Sequence, residues 1–247
     1  MIGISTSAGP RNYWQYWLKD FGLNIVELDL RHSYFPFYQS IIDIVKKEMS
    51  SYNLSFHSAS ESLFSENSII RESNQQILLS EIELARIIGA KEIVFHAPTL
   101  FGLDVVQNQE GSIEFLSKTS EEAKNKGITL LMEYPVKGDF SNSETLRKFF
   151  EILPNIFLCL DIGHLHRAKQ DLDKEKEIIE SLKNKINYLH INDCSGVRNE
   201  HGNFGKKEHH YKELLSYIRQ HCSVKKRIIE ASNDDDAKDI LKSMKGL

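Results

Sequence analysis

Short uninterrupted apolar runs recur along the whole chain. Longer stretches separate them, in which apolar positions return every three or four residues. The runs are IGIS from Ile2, IVEL from Ile25, LSFH from Leu54, EIVFH from Glu92, TLLME from Thr129, FLCLD from Phe157, YLHI from Tyr188 and RIIE from Arg227. Each is continuous rather than alternating, the pattern of strands buried on both faces of a parallel sheet. Between them, Leu146, Phe149, Phe150 and Leu153 make one helical stripe. Ala237, Ile240, Leu241 and Met244 make a second, and Leu78, Ile82 and Ala85 a third. Gly89 and Gly127 stand just before strands, where a left-handed glycine ends a helix. Ser143, before ETLRKFF, is the expected N-cap of its helix.

Alternation of strand and helix implies a parallel sheet. Eight such units in 247 residues predict an α/β fold, a single (β/α)8 TIM barrel spanning residues 1–247 as one domain. An open doubly wound sheet is the alternative. The count of eight, and the lack of a Gly-rich phosphate turn after the first run, favour the barrel. The acidic SNDDDAKD is expected to cap and open the last helix.

Composition adds limits. Forty per cent apolar and 27% charged residues fit an ordinary globular protein, and a net charge of -4 carries no nucleic-acid footprint. Three cysteines without a C-x-x-C argue against a disulfide framework and suit a reducing cytosol. MIGIST reads as a strand rather than a leader, and no apolar run approaches the roughly 18 residues of a membrane span. A cytoplasmic protein with no membrane partner is expected.

In such a barrel the C-terminal strand ends carry the chemistry. The third run ends in His57, the fourth in His96, the fifth in Glu133, and the sixth in Asp161 with His164 just beyond. The seventh contains His190 and leads to Asp193, His201 lies in the loop after it, and the eighth ends in Glu230. A lone imidazole or carboxylate at a strand end is ordinarily a hydrogen-bonded core residue or a helix cap. Six consecutive strands ending this way would crowd polar groups at one mouth, and buried charges require partners or a metal. The constellation predicts a divalent metal site. Its nitrogen and oxygen donors suit Zn²⁺ or Mn²⁺, then Co²⁺, Fe²⁺ or Mg²⁺, better than Ca²⁺. Asp161 at the mouth and His164 on a turn above it, with Gly163 permitting a tight bend, would hold one ion or bridge two. Alternation is expected to turn Cys159 away from this site, and Cys159 and Cys194 read as packing residues.

The segments FHSA, VFHAP, LMEY, LCLDIGHLH, LHINDCSGVRNEHGNFG and IIEAS fall in that order on successive strands. Together they resemble the xylose isomerase-like barrels, a superfamily that includes endonuclease IV and many sugar isomerases and epimerases. Resemblance to endonuclease IV implies up to three ions on His57, His96, Glu133, Asp161, His164, His190, Asn199, His201 and Glu230. Asn199 stands where that pattern has aspartate; a neutral amide is a poorer ligand, and neighbouring Glu200 is expected to point elsewhere. Resemblance to the isomerases and epimerases implies one ion on Glu133, Asp161, His190 and Glu230, all intact here.

Three functions are compatible with this reading. The first is a metal-dependent isomerase or epimerase of a sugar or sugar phosphate, with proton transfer next to a metal-polarised carbonyl. Glu133 and Glu230 would serve as acid and base, and Arg198, Lys206 or Lys207 would receive a substrate phosphate. The second is an endonuclease IV-like AP endonuclease, a metal-cluster phosphodiesterase acting on abasic DNA, with Glu133 or Glu230 orienting water. The segment SASESLFSENSIIRES resembles its counterpart there in length and in Arg71, but has Ser60 where tyrosine is expected. Residues 31–39, RHSYFPFYQ, could stack on a flipped sugar or base, cover the mouth, or meet a second subunit of a homo-oligomer. DNA is a partner only under this second reading, and the acidic balance helps little in gripping a polyanion. The third is a metal-binding barrel without catalysis.

Overall fold

Eight parallel strands close on themselves in sequence order. They are β1 (Ile2–Ser5), β2 (Ile25–Asp29), β3 (Asn53–His57), β4 (Glu92–His96), β5 (Thr129–Glu133), β6 (Phe157–Asp161), β7 (Ile186–Ile191) and β8 (Lys226–Ile229). β8 pairs back onto β1, so the predicted barrel is realised. The computed structural model describes residues 1–6, 18–19, 22–31, 38–98, 110–169, 171–192, 211–231 and 234–244. Among the described residues, the α-helices with defined bounds are α1 (Tyr38–Ile44, continued by a π turn over Val45–Met49), α2 (Ser68–Ile88), α3 (Glu110–Asn125), α4 (Ser143–Ile152), α5 (Ile162–Lys169), α6 (Leu172–Leu182), α7 (Tyr211–His221) and α8 (Asp234–Met244). Among the described residues, no helix is long and apolar enough to cross a membrane.

Side chains alternate faces along a strand, so each strand serves two cores. Outward-facing Val26, Leu28, Phe56, Phe95, Met132, Leu160 and Leu189 pack with the predicted helix stripes in one large buried cluster. Inward-facing Ile25, Val94, Leu131, Cys159, Tyr188 and Ile228 form a separate apolar plug. Gly3 lets β1 approach β2, since a Cβ there would lie 2.6 Å from that of Ile25. Beyond the plug, at the N-terminal end, buried Lys226 donates to Glu92 at 2.5 Å and to Asn53 at 2.8 Å. The opposite end is the polar mouth.

Two local expectations are corrected. Cys159 precedes Asp161 by two residues and therefore shares its inward face instead of turning away; it is still a packing residue, a free thiol within the plug. The N-cap of α4 is Asn142 rather than Ser143. Asn142 has extended backbone, φ -98 and ψ 134, and its carboxamide oxygen accepts from the Glu144 N–H at 2.8 Å. Gly89 and Gly127 adopt φ of 81 and 74 and close α2 and α3 as predicted.

Candidate metal centre

Strand register levels the polar residues at the mouth. Asp29 lies beside His57, His96 beside Glu133, and Asp161 beside His190. Glu230 directly follows β8 and is pinned by its N–H donating to the Ile191 carbonyl at 3.0 Å. Glu133, Asp161, His190 and Glu230 each offer a ligand atom, and these atoms lie within 4.8 Å of one another. Ligands about 2.1 Å from one ion stand up to about 4.2 Å apart, so the quartet needs only a small contraction to enclose a cation. Three carboxylates and one imidazole, all buried, are also the donor chemistry a divalent ion takes. His57 forms a second, overlapping group with Glu133 and His190.

His190 and Asp161 are held from behind. His190 Nδ1 meets Glu133 Oε1 at 2.9 Å, while its Nε2 meets Glu27 Oε2 at 3.1 Å. Glu27 also accepts from the Tyr188 hydroxyl at 2.7 Å, and that hydroxyl meets Ser55 Oγ at 2.7 Å. With Nε2 turned to Glu27, Nδ1 is the nitrogen that an ion would engage, the usual carboxylate–histidine–metal arrangement. Asp161 Oδ1 accepts from the His164 N–H at 2.7 Å and so caps α5, and its Oδ2 accepts from Asn192 Nδ2 at 2.8 Å. The strand-end carboxylate thus serves a helix and the site together.

His164 lies in the first turn of α5, not on a turn above the strand, and Gly163 is part of the same helix. The glycine provides clearance rather than a bend: a Cβ on Gly163 would sit 1.8 Å from Asn192 Oδ1. His164 Nδ1 contacts the Tyr134 carbonyl at 3.0 Å and is 3.9 Å from Glu133 and 3.8 Å from Asp161. Glu133 Oε2 gathers His57 at 3.3 Å and His96 at 3.0 Å. Arg31, forked onto Asp29 with Nη2 to Oδ2 at 2.8 Å, brings Nη1 to 3.1 Å from His96 Nε2. A fixed guanidinium therefore stands on the His57–His96 side of the mouth.

These contacts set the charges. Burial opposes ionisation of Glu133, but His96, His190 and His57 hold its carboxyl well below the usual carboxylate range. Burial likewise opposes a charge on His190, yet Cys159, Glu230 and Glu27 keep its imidazole well above the usual histidine range. Burial also works against the Glu27 carboxylate, and His190 outweighs it and lowers the group. His164 pays the same burial cost and is nevertheless raised, by Asp161 and then Glu133.

The structure thus brings together Glu133, Asp161, His190 and Glu230, with His57, His96 and His164 around Glu133. Asp193, Arg198, Asn199, Glu200, His201, Lys206 and Lys207 lie outside the described residues, as do residues 32–37 of the aromatic loop. Ser60 is buried, its hydroxyl donating to the Asn74 carbonyl at 2.9 Å, and Arg71 donates to the Ser65 carbonyl at 2.9 Å. Both tether the loop after β3. Sequence reasoning missed Glu27, Asp29, Arg31 and Asn192. In β2, Ile25, Glu27 and Asp29 alternate onto one face, and carboxylates at i and i+2 on a barrel-lining face were the available signal. Asn192 gives no such sign, being one polar residue in a polar segment.

The chain has 26% identity over 161 residues to a probable endonuclease 4 of Mycoplasma pneumoniae, a match covering 58% of this chain and 55% of that protein. It spans about half the length of the curated relatives it matches. A D-tagatose 3-epimerase-like protein superposes with a TM-score of 0.79 at 18% identity, covering 99% of this chain and 96% of that one. The TTHB071 protein from Thermus thermophilus, soaked with ZnCl₂, gives a TM-score of 0.74 at 20% identity, again covering 99% and 96%. At these identities the two structural likenesses are likenesses of fold. A family model described as xylose isomerase-like TIM barrel matches residues 16–246, and the chain belongs to that family.

Proposed function

We propose that the protein is a metal-dependent epimerase or isomerase of a small sugar. The observation that supports this most is the convergence of Glu133, Asp161, His190 and Glu230 within 4.8 Å at the mouth. A divalent ion held there would polarise a carbonyl and make the neighbouring C–H more acidic. The proton work falls to the chain. Glu133 and Glu230 flank Asp161 and His190 in strand order, so each addresses the bound substrate from a different side. Glu133, held ionised by its histidines, takes a proton from one face of the carbon, and Glu230 returns one to the other. Asp161 and His190, fixed by Asn192 and Glu27, keep the geometry rigid. The likeness to a D-tagatose 3-epimerase-like protein agrees with a ketose substrate.

A second reading, an AP endonuclease, draws on the overlapping His57–Glu133–His190 group and on the probable endonuclease 4 relatives. Against it, the Arg31 guanidinium stands 3.1 Å from His96 Nε2, on the side where a further cation would bind, and its charge would repel one. The test uses protein loaded with Mn²⁺ or Zn²⁺ and incubated with D-fructose in deuterated water. Deuterium should enter at the carbon next to the carbonyl, Glu133→Gln should stop the exchange, and metal analysis should find about one ion per chain. Cleavage of an abasic-site duplex, with near three ions bound and no exchange, would transfer the assignment to the endonuclease.

A further inference from the structure

We propose that Lys137 and Arg167 form an anion subsite that receives the phosphate of a sugar phosphate. This deepens the function proposed above and rests on it. A cavity of about 650 Å³ is lined by Glu133, His96 and His164 from the site, and also by Lys137 and Arg167. Its volume is that of a small-molecule pocket, typically about 300–1,000 Å³. Arg167 follows His164 by three residues on α5, so the two side chains share a helix face. Lys137 stands four residues beyond Glu133, past the end of β5. The cavity therefore carries one carboxylate of the quartet, two of the surrounding histidines and two cations.

Neither cation has a hydrogen bond or ion pair to any described residue. Some other basic residues do: Arg31 is forked onto Asp29, Arg86 pairs with Glu83, and Lys126 with Glu122 and Glu83. Arg167 is half-buried and Lys137 is exposed, so both cations can meet a ligand in the cavity that supplies a counter-charge. The carboxylates on the wall do not supply it. Glu133 is engaged by His57, His96 and His190, and Glu61 is beyond ion-pair distance of both cations. Arginine offers phosphate a planar fork and lysine a point charge. A phosphate monoester carries close to two negative charges, which two cations neutralise. A DNA phosphodiester carries one, and a duplex would need a broad basic surface that a chain of net charge -4 does little to provide.

The test is calorimetric titration of the metal-loaded protein and of its Lys137→Gln/Arg167→Gln variant with D-fructose, D-fructose 6-phosphate and an abasic-site duplex. D-fructose 6-phosphate should bind the wild type at least tenfold more tightly than D-fructose, inorganic phosphate should compete, and the double variant should lose the difference. Equal affinity for the two sugars, binding of neither, or a preference that survives in the variant overturns the subsite. So does a duplex whose affinity alone falls in the variant. Deuterium exchange into either sugar is scored separately. Its absence removes the epimerase reading, while the titrations still decide the subsite.

Discussion

Gly163→Ala places one methyl group where the structure has no room for it. The new Cβ would sit 1.8 Å from Asn192 Oδ1, so the carboxamide must retreat by about 1.6 Å to reach ordinary contact. It cannot do so and keep its 2.8 Å bond to Asp161 Oδ2. A buried hydrogen bond to a charged group contributes about 1.5–3 kcal/mol. Alanine recovers up to about 1 kcal/mol over glycine within α5. The metal-free variant should therefore be about 1–2 kcal/mol less stable in urea. Because Asp161 loses the partner that orients it, Zn²⁺ affinity should fall about 10–100-fold in a chelator competition. Asn192→Ala removes the clashing atom, so adding Gly163→Ala to that background should cost nothing further in either measurement. Wild-type Zn²⁺ affinity in Gly163→Ala, or an equal cost in both backgrounds, would refute the reasoning.

Glu27→Gln weakens the charge-assisted bond to His190 Nε2 and should reduce Co²⁺ affinity about tenfold; unchanged affinity would deny Glu27 a positioning role. Buried Glu81 accepts from Ser58 and from the Ala59 N–H, and burial pushes its carboxyl up to about 7. The folded state then holds this proton more tightly than the unfolded one, where the value is 4.5. Its contribution is therefore present below about pH 4.5 and lost as pH rises to about 7, amounting to about 3 kcal/mol. Glu81→Gln should remove that decline, and parallel urea curves for the two proteins across this pH window would contradict it. Chelation should leave the far-UV dichroism intact, since both apolar cores exclude the ligands. Returning Zn²⁺ to a thousandfold excess over Kd should add about 4 kcal/mol of stability. An unfolded metal-free chain would show the ion to be structural.

The barrel was legible because strands buried on both faces leave dense apolar runs, and all eight could be counted. The quartet was legible because strand ends in such a barrel converge, making Glu133, Asp161, His190 and Glu230 neighbours although far apart in the chain. What escaped depends on facing rather than order. Cys159 was misjudged by strand parity. Glu27 and Asp29 passed as ordinary strand residues although they share the inward face of Ile25. Arg31 is set at the mouth by its fork onto Asp29, and Gly163 matters through an atom 29 positions later, in Asn192. Contacts of that kind are fixed by the closed sheet and leave no local pattern.

Tyr188 belongs to two regions at once. Its ring fills the apolar plug, while its hydroxyl bridges Ser55 and Glu27 beneath His190. Enlarging Val94 or Ile228 to harden the scaffold would press on that ring and tilt the imidazole that it steadies. Interior packing and the seating of His190 therefore share one side chain, and an engineer seeking a stiffer scaffold should repack the outer helices and leave the interior alone.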